Sequence, residues 1–224
     1  MRSTASWATI AVVAAGCGLA PSVFAQPAVT PDWAFSPTGG LAPMVMCQSW
    51  TRTGGDGTRP GDWGTNGPSY GPTYPGTSVY DGDLFGGSDQ FYVDSSSTNS
   101  RFTFYLRNFK DNFPTKLFFL EIHTNSLNPA PVPVSLVGYV GSNSYPHQPG
   151  PMVENGPNSR LGYHQTWVMH PNPWWEAFYI DVGRDGSGNC NAKSFTFYTV
   201  SIPAPATLAG LGALAPLAFR RRRA

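Results

Sequence analysis

Charge is scarce in this chain. Only 12% of its 224 residues are Asp, Glu, Lys or Arg, about half the usual share. Five of the fourteen basic residues, Arg2, Arg220, Arg221, Arg222 and Arg223, sit at the extreme ends. The body between them holds nine basic against thirteen acidic residues. It keeps no basic patch for a phosphate backbone, which makes nucleic acid a poor partner. Metal-ligand spacing is also missing. His123, His147, His164 and His170 fall in no zinc-type pattern, and no Cys/His set accompanies them. No nucleophile elbow is present. No repeat of about 20 to 50 residues recurs, which argues against a solenoid or propeller. No stretch has the apolar period of an amphipathic helix.

Glycine, proline and aromatic residues are abundant instead, with 25 Gly, 22 Pro and 14% Phe, Trp and Tyr. That profile fits an extracellular all-β domain with long turns. Short runs rich in aromatic and β-branched residues lie at 43–50, 90–94, 100–109, 116–123, 132–140, 163–169, 174–182 and 194–202. Residues 100–109 alternate cleanly, with Phe102, Phe104 and Leu106 on one side and Arg101, Thr103, Tyr105 and Arg107 on the other. Period two means a half-buried strand. Phe178, Ile180 and Val182 share a face in the same way, as do Phe195 and Phe197. Pro133 points to an edge position for its strand. Residues 51–78 hold eight glycines and four prolines and read as a long loop, and 142–160 also read as loop. About eight strands with no helix between them predict a single antiparallel β-sandwich, jelly-roll-like in architecture.

Both ends carry export signals. Arg2 opens a positive start, residues 7–19 are mostly apolar, and Val23-Phe24-Ala25 suits signal peptidase, so residues 1–25 read as a signal peptide with Gln26 as the new N-terminus. Ala14-Ala15-Gly16-Cys17 is a loose lipobox and supplies an alternative, lipidation at Cys17. At the other end, Pro203, Ala204 and Pro205 precede an uncharged run, 206–219, that stops at Arg220, Arg221, Arg222 and Arg223. From Ile202 to Phe219 is a marginal length for a short transmembrane helix. Arginines stay on the cytoplasmic side, which places the body outside.

This three-part tail resembles the PEP-CTERM sorting signal of exosortase substrates over about 22 residues, Ile202 to Arg223. Pro203 and Pro205 match the two prolines of the motif, 208–219 match its helix, and the arginines match its terminal cluster. Ala204 stands where the family usually has glutamate. The resemblance implies Sec export, retention in the inner membrane by the tail, and cleavage near 203–205 by an exosortase-type membrane protease. Delivery to the cell surface or an exopolysaccharide matrix would follow. The organisation expected is therefore a signal peptide (1–25), a β-sandwich (26–201) with a Gly/Pro-rich loop (51–78), and a sorting tail (202–224).

Within the body, Cys47 and Cys190 are the two cysteines left after the leader is removed. In an oxidising compartment they most simply form one disulfide. Trp63, Tyr70 and Tyr74 in the loop, with Trp174 and Trp175 in the densest aromatic region beside Trp167, Tyr163 and Tyr179, are candidates for a glycan-binding platform. The plainer reading of the same rings, and the one favoured, is that they fill the sandwich core, where aromatics dominate burial. Trp174 and Trp175 are adjacent, so within a strand they point to opposite faces. Asp81, Asp83, Glu121, Glu176 and Asp181 are the carboxylates from which a hydrolase would draw its pair. Asp81-Gly82-Asp83 and the 185–189 turn are oxygen-rich enough to suggest a structural calcium, but neither completes an EF-hand and both read equally as plain turns. No cofactor is expected. Two functions follow. The first is a non-enzymatic envelope or matrix protein with a structural, adhesive or glycan-contacting role. The second is a secreted carbohydrate-active enzyme, a glycoside hydrolase or lyase, on the same scaffold.

Overall fold

The computed structural model describes residues 29–81 and 91–203. The signal peptide with Cys17, the residues Gly82 and Asp83, and the tail from Ala204 through Pro205 to Arg220, Arg221, Arg222 and Arg223 lie outside the described residues, and with them the expected transmembrane helix. Among the described residues no helix is long and apolar enough to cross a membrane.

The described chain is all-β. Its strands are β1 (Val45–Arg52), β2 (Trp63–Tyr70), β3 (Ser78–Val79), β4 (Phe91–Ser95), β5 (Asn99–Arg107), β6 (Phe109–Lys110), β7 (Thr115–Thr124), β8 (Val132–Val140), β9 (Asn143–His147), β10 (Val153–Glu154), β11 (Gly162–Met169), β12 (Trp175–Gly183) and β13 (Ala192–Ile202). A six-stranded sheet has the order β10-β11-β7-β13-β1-β2, and a five-stranded sheet the order β4-β5-β12-β8-β9. Strands β3 and β6 form a small separate ladder. Pairing is antiparallel throughout these ladders. The chain passes back and forth between the two sheets, so that β11-β7-β13-β1 lies against β5-β12-β8-β9, the connectivity of a jelly roll.

Period-two alternation sets which side chains meet between the sheets. In β5, Phe102, Phe104 and Leu106 are fully buried. In β12, Phe178, Ile180 and Val182 are too, and in β13, Phe195 and Phe197. Phe104 lies 4.9 Å from Phe195 and 4.8 Å from Phe197, and Phe118 of β7 lies 5.7 Å from Phe178. These contacts cross between the sheets and fill the sandwich with rings.

The 51–78 segment is not the irregular loop its composition suggests. Residues 63–70 form β2, an eight-residue strand on β1. Cys47 pairs with Ser69 and Ser49 with Asn66, which leaves Gly67 and Pro68 opposite one residue as a bulge. Strand β2 is the outer strand of its sheet, where proline removes no needed ladder bond. Residues 143–147, read as loop, form β9 on β8. Strand β8 is therefore not an edge strand. Its partner β9 reaches only Leu136 to Val140, however, so Pro133 sits where one side of the strand is open.

The expected Cys47–Cys190 bridge is absent. Cys190 is a buried free thiol, whereas Cys47 is disulfide-bonded. Alternation explains the error. Cys47 points to the outer face of the six-stranded sheet, with Val45, Phe119 and Tyr198. Cys190 joins the core between the sheets, with Trp63 and Phe195. Burial pushes the Cys190 thiol up to about 11, so it is both shielded and protonated at neutral pH. Alkylation without reductant should therefore spare Cys190 in the native protein and label it once the chain is unfolded. Recovery of Cys190 in a disulfide-linked peptide would contradict this arrangement.

Candidate functional site

The two outer faces of the sandwich differ. The six-stranded sheet is covered by residues 29–42, which run back over it. Phe35 and Leu41 pair in an isolated bridge, and the Ala42 N–H donates to the Ala34 carbonyl at 2.9 Å. Val29, Trp33, Phe35, Leu41 and Ala42 pack onto Val45, Cys47, Phe119 and Tyr198. Glu121, on this outer face of β7, accepts the Val29 N–H at 3.0 Å through Oε1. Its carboxyl is pushed up to about 7, chiefly by burial, with the Val29 N–H and the charge of Arg160 acting the other way. Glu121 is thus a pin for the covering segment.

The outer face of the five-stranded sheet carries aromatic rings instead. Tyr92 (β4), Tyr105 (β5), Trp175 and Tyr179 (β12) and Tyr139 (β8) alternate with the buried core residues of their strands and point outward together. Their register brings them close. Trp175 pairs with Tyr139, Tyr105 with Ala177, and Tyr92 and Tyr179 both flank Thr103. Trp175 and Tyr139 stack at 3.7 Å with planes 2° apart. Tyr92 meets Tyr105 edge-on at 6.0 Å. The Tyr105 and Tyr179 hydroxyls are 3.5 Å apart. Small Ala177 lies among the rings, and Tyr92 is 49% exposed. Burial, then the Tyr179 hydroxyl, holds the Tyr105 phenol above its ordinary range. Burial raises Tyr139 as well. These phenols therefore stay protonated donors at neutral pH. Arg101 and Asp181 close one end of the face with a two-pronged ion pair at 2.7 and 2.8 Å.

The sequence candidates scatter. Trp63 is a core residue, 5.3 Å from both Phe102 and Phe195, because it begins β2 with its ring turned inward. Trp167 also packs inside, against Phe118 and Phe178. Tyr70 and Tyr74 sit beside Phe109 and Phe113 near the small ladder, away from the outer aromatic face. Trp175 is on that face, though it is only 7% exposed beneath its neighbours. Trp174 precedes β12 at the end of the sandwich and, with Tyr80, packs against the margin of that face. Reading by local aromatic density missed Tyr92, Tyr105 and Tyr139. The outward phase of each alternating strand contains them.

The carboxylate candidates do not converge. Glu121 and Asp181 lie on opposite outer faces. Glu176 is inside, between the sheets, with its Oε1 3.3 Å from the Lys116 ammonium and both oxygens accepting from Asn108 at 2.7 and 2.8 Å. Lys116 also donates to the Pro173 carbonyl, and Thr199 donates to Asn108 at 2.8 Å. Burial drives the Glu176 carboxyl up and the Lys116 ammonium down, and each charge partly offsets the other's shift. The pair is fully enclosed and serves as a tie between β7 and β12. In the 185–189 turn, the Asp185 carboxylate accepts from the Ser187 and Asn189 N–H groups and from the Asn125 amide, so its oxygens close a turn. No group of three or more His, Cys, Asp or Glu able to hold a metal occurs among the described residues.

Glu121 generates a pH dependence. Its folded value, about 7, lies above the ordinary value of 4.5. The native state therefore keeps a proton that the unfolded chain releases between those values, and stability is lost as pH rises through that window. His123, depressed to about 4 mainly by burial, acts with the opposite sign over part of the same range. Comparison with Glu121→Gln isolates the carboxyl. In denaturant titrations, the stability of the natural protein relative to this variant should fall by at most about 3 kcal/mol between pH 4.5 and 7.5. A pH-independent difference would contradict the buried, pinned carboxyl. No protein-family model matches the sequence, and no curated protein matches it either.

Proposed function

We propose that this chain is an exported envelope or matrix protein whose sandwich contacts carbohydrate through the aromatic outer face of its five-stranded sheet. One observation carries the reading: Tyr92, Tyr105, Tyr139, Trp175 and Tyr179 gather on the outer face of one sheet, with Tyr92 49% exposed. An outward sheet face is ordinarily polar. Rings placed there offer flat apolar surfaces for the CH faces of a sugar ring, and protonated hydroxyls for its OH groups. A flat five-stranded surface suits an extended chain better than a small molecule, which needs a concavity. The opposite face is already covered by 29–42.

The ends of the chain support the cellular setting. A signal peptide, a proline-bearing apolar tail and four terminal arginines belong to a protein exported and held for a time in the inner membrane. The PEP-CTERM resemblance adds processing by an exosortase-type protease and release to the cell surface or an exopolysaccharide matrix. The alternative, a secreted carbohydrate-active enzyme, needs two carboxylates facing a common groove. Glu121, Glu176 and Asp181 do not supply that pair.

Affinity electrophoresis through gels containing acidic or neutral exopolysaccharide tests the platform. The natural protein should be retarded by at least one of them. Tyr92→Ala combined with Tyr179→Ala should weaken retention about ten-fold, as expected from two stacked rings at about 0.5 to 1.5 kcal/mol each. Unchanged retention, with the fold intact by circular dichroism, would remove the outer face from the account.

A further inference from the structure

The point at which the tail leaves the domain decides which surface faces the lipid. Strand β13 runs in the middle of the six-stranded sheet and ends at Ile202, opposite Thr115. The same end of the sandwich holds the 170–174 connection and the start of β12. Asn172 donates to Ser201 at 3.2 Å, and the Trp174 N–H donates to the Tyr139 carbonyl at 2.8 Å. Trp174 is half-buried, with the Tyr80 ring 6.1 Å from its own and the exposed Lys110 ammonium 4.9 Å from its centre. The Tyr80 N–H bonds the Asn108 carbonyl at 2.7 Å, which anchors the Tyr80 segment beside β6.

Only four residues, 204–207, separate Pro203 from the apolar stretch that begins at Leu208. Fully extended, four residues reach about 14 Å. The headgroup layer on each side of the hydrocarbon core is itself several ångströms thick. A tether of that reach keeps the domain within several ångströms of the headgroup layer, so the rim that surrounds the exit of β13 is the part of the body nearest the lipid. Trp and Tyr favour that depth, since an apolar ring and a polar edge are both satisfied there, and a lysine beside them meets the lipid phosphate. The body as a whole is net acidic, with nine basic against thirteen acidic residues, so the Lys110 ammonium stands against the general charge.

We infer that the end of the sandwich carrying Trp174, Tyr80 and Lys110 is a lipid-contacting rim that seats the tethered protein on the headgroup layer. The inference rests on the tail being embedded in lipid, as proposed above. Standing on that end would hold the five-stranded aromatic face roughly along the membrane normal, turned to polymer outside the cell, while the rim aromatics meet lipid. Cleavage of the tail would release both.

The test uses the chain without its leader, residues 26–224, reconstituted into phosphatidylcholine–phosphatidylglycerol vesicles containing lipid brominated near the headgroup end of its acyl chains. Flotation reports the tail, and quenching of tryptophan fluorescence reports the rim. The chain should float with the vesicles, and Trp174→Phe should reduce bromolipid-dependent quenching about two-fold, with Lys110→Glu acting in the same direction. Flotation with quenching unaffected by either substitution would overturn the rim and leave the tail reading standing. Failure to float would overturn both. Flotation as a dimer, with Trp174 shielded from bromolipid, would assign the rim to a second copy of the chain instead.

Discussion

The packing of aromatic rings between two antiparallel sheets is the interaction on which the rest of this structure depends. Phe102 and Phe104 from one sheet interlock with Phe195 and Phe197 from the other, and Trp50 closes on both sides at 4.9 Å from Phe104 and 5.7 Å from Phe197. Once these rings are inside, period two leaves no choice for their neighbours. Tyr105 must point outward because Phe104 and Leu106 point inward. Tyr179 must do so because Phe178 and Ile180 do not. The outward aromatic face is thus the geometric complement of the core.

Charge enters this interior at one end as a hydrogen-bonded pair, while the Gln48 side chain of β1 is buried without a hydrogen-bond partner. The Lys116–Glu176 pair spans the sheets where the ring packing ends, with Asn108 and Thr199 completing its hydrogen bonds. Removing one member would strand the other charge in a dry site, a loss of about 3 to 5 kcal/mol. The network lies close to the chain's exit at Ser201 and to the rim around Trp174. The sandwich therefore carries its buried ion-pair tie at the end where β13 finishes. At the covered outer face, Glu121 does a smaller job of the same kind by holding the backbone at Val29.

Much of the fold was legible in the sequence because strand alternation is a local property. The residues 100–109 and 174–182 show their inward and outward faces without any tertiary knowledge, and β8 is found at its expected bounds, Val132–Val140. The failures share a cause: they depended on neighbours distant in sequence. Strand β2 forms from Gly- and Pro-rich chain because β1 templates it at a sheet edge, where Gly67 and Pro68 can bulge. Cys47 and Cys190 looked like a pair by count, but the phase of β1 sends Cys47 outward while Cys190 joins the core. Trp63 looked like loop aromatic and is core for the same reason that β2 is a strand. The aromatic site was half visible. Trp175 and Tyr179 stood out by density, whereas Tyr92, Tyr105 and Tyr139 come from three other strands and meet only through sheet register.

Function in this account follows from an asymmetry between two outer faces, one covered by the chain's own N-terminal segment and one left with rings. Hydroxyl-radical footprinting of the full-length protein, with and without the exopolysaccharide that retains it, measures that asymmetry directly. The account predicts that Tyr92 and Tyr179 are oxidised in the free protein and protected by the polymer, while Phe104 and Phe195 are untouched in both. Equal oxidation of Tyr92 and Tyr179 with and without polymer, or protection confined to residues of the covered face, would contradict it.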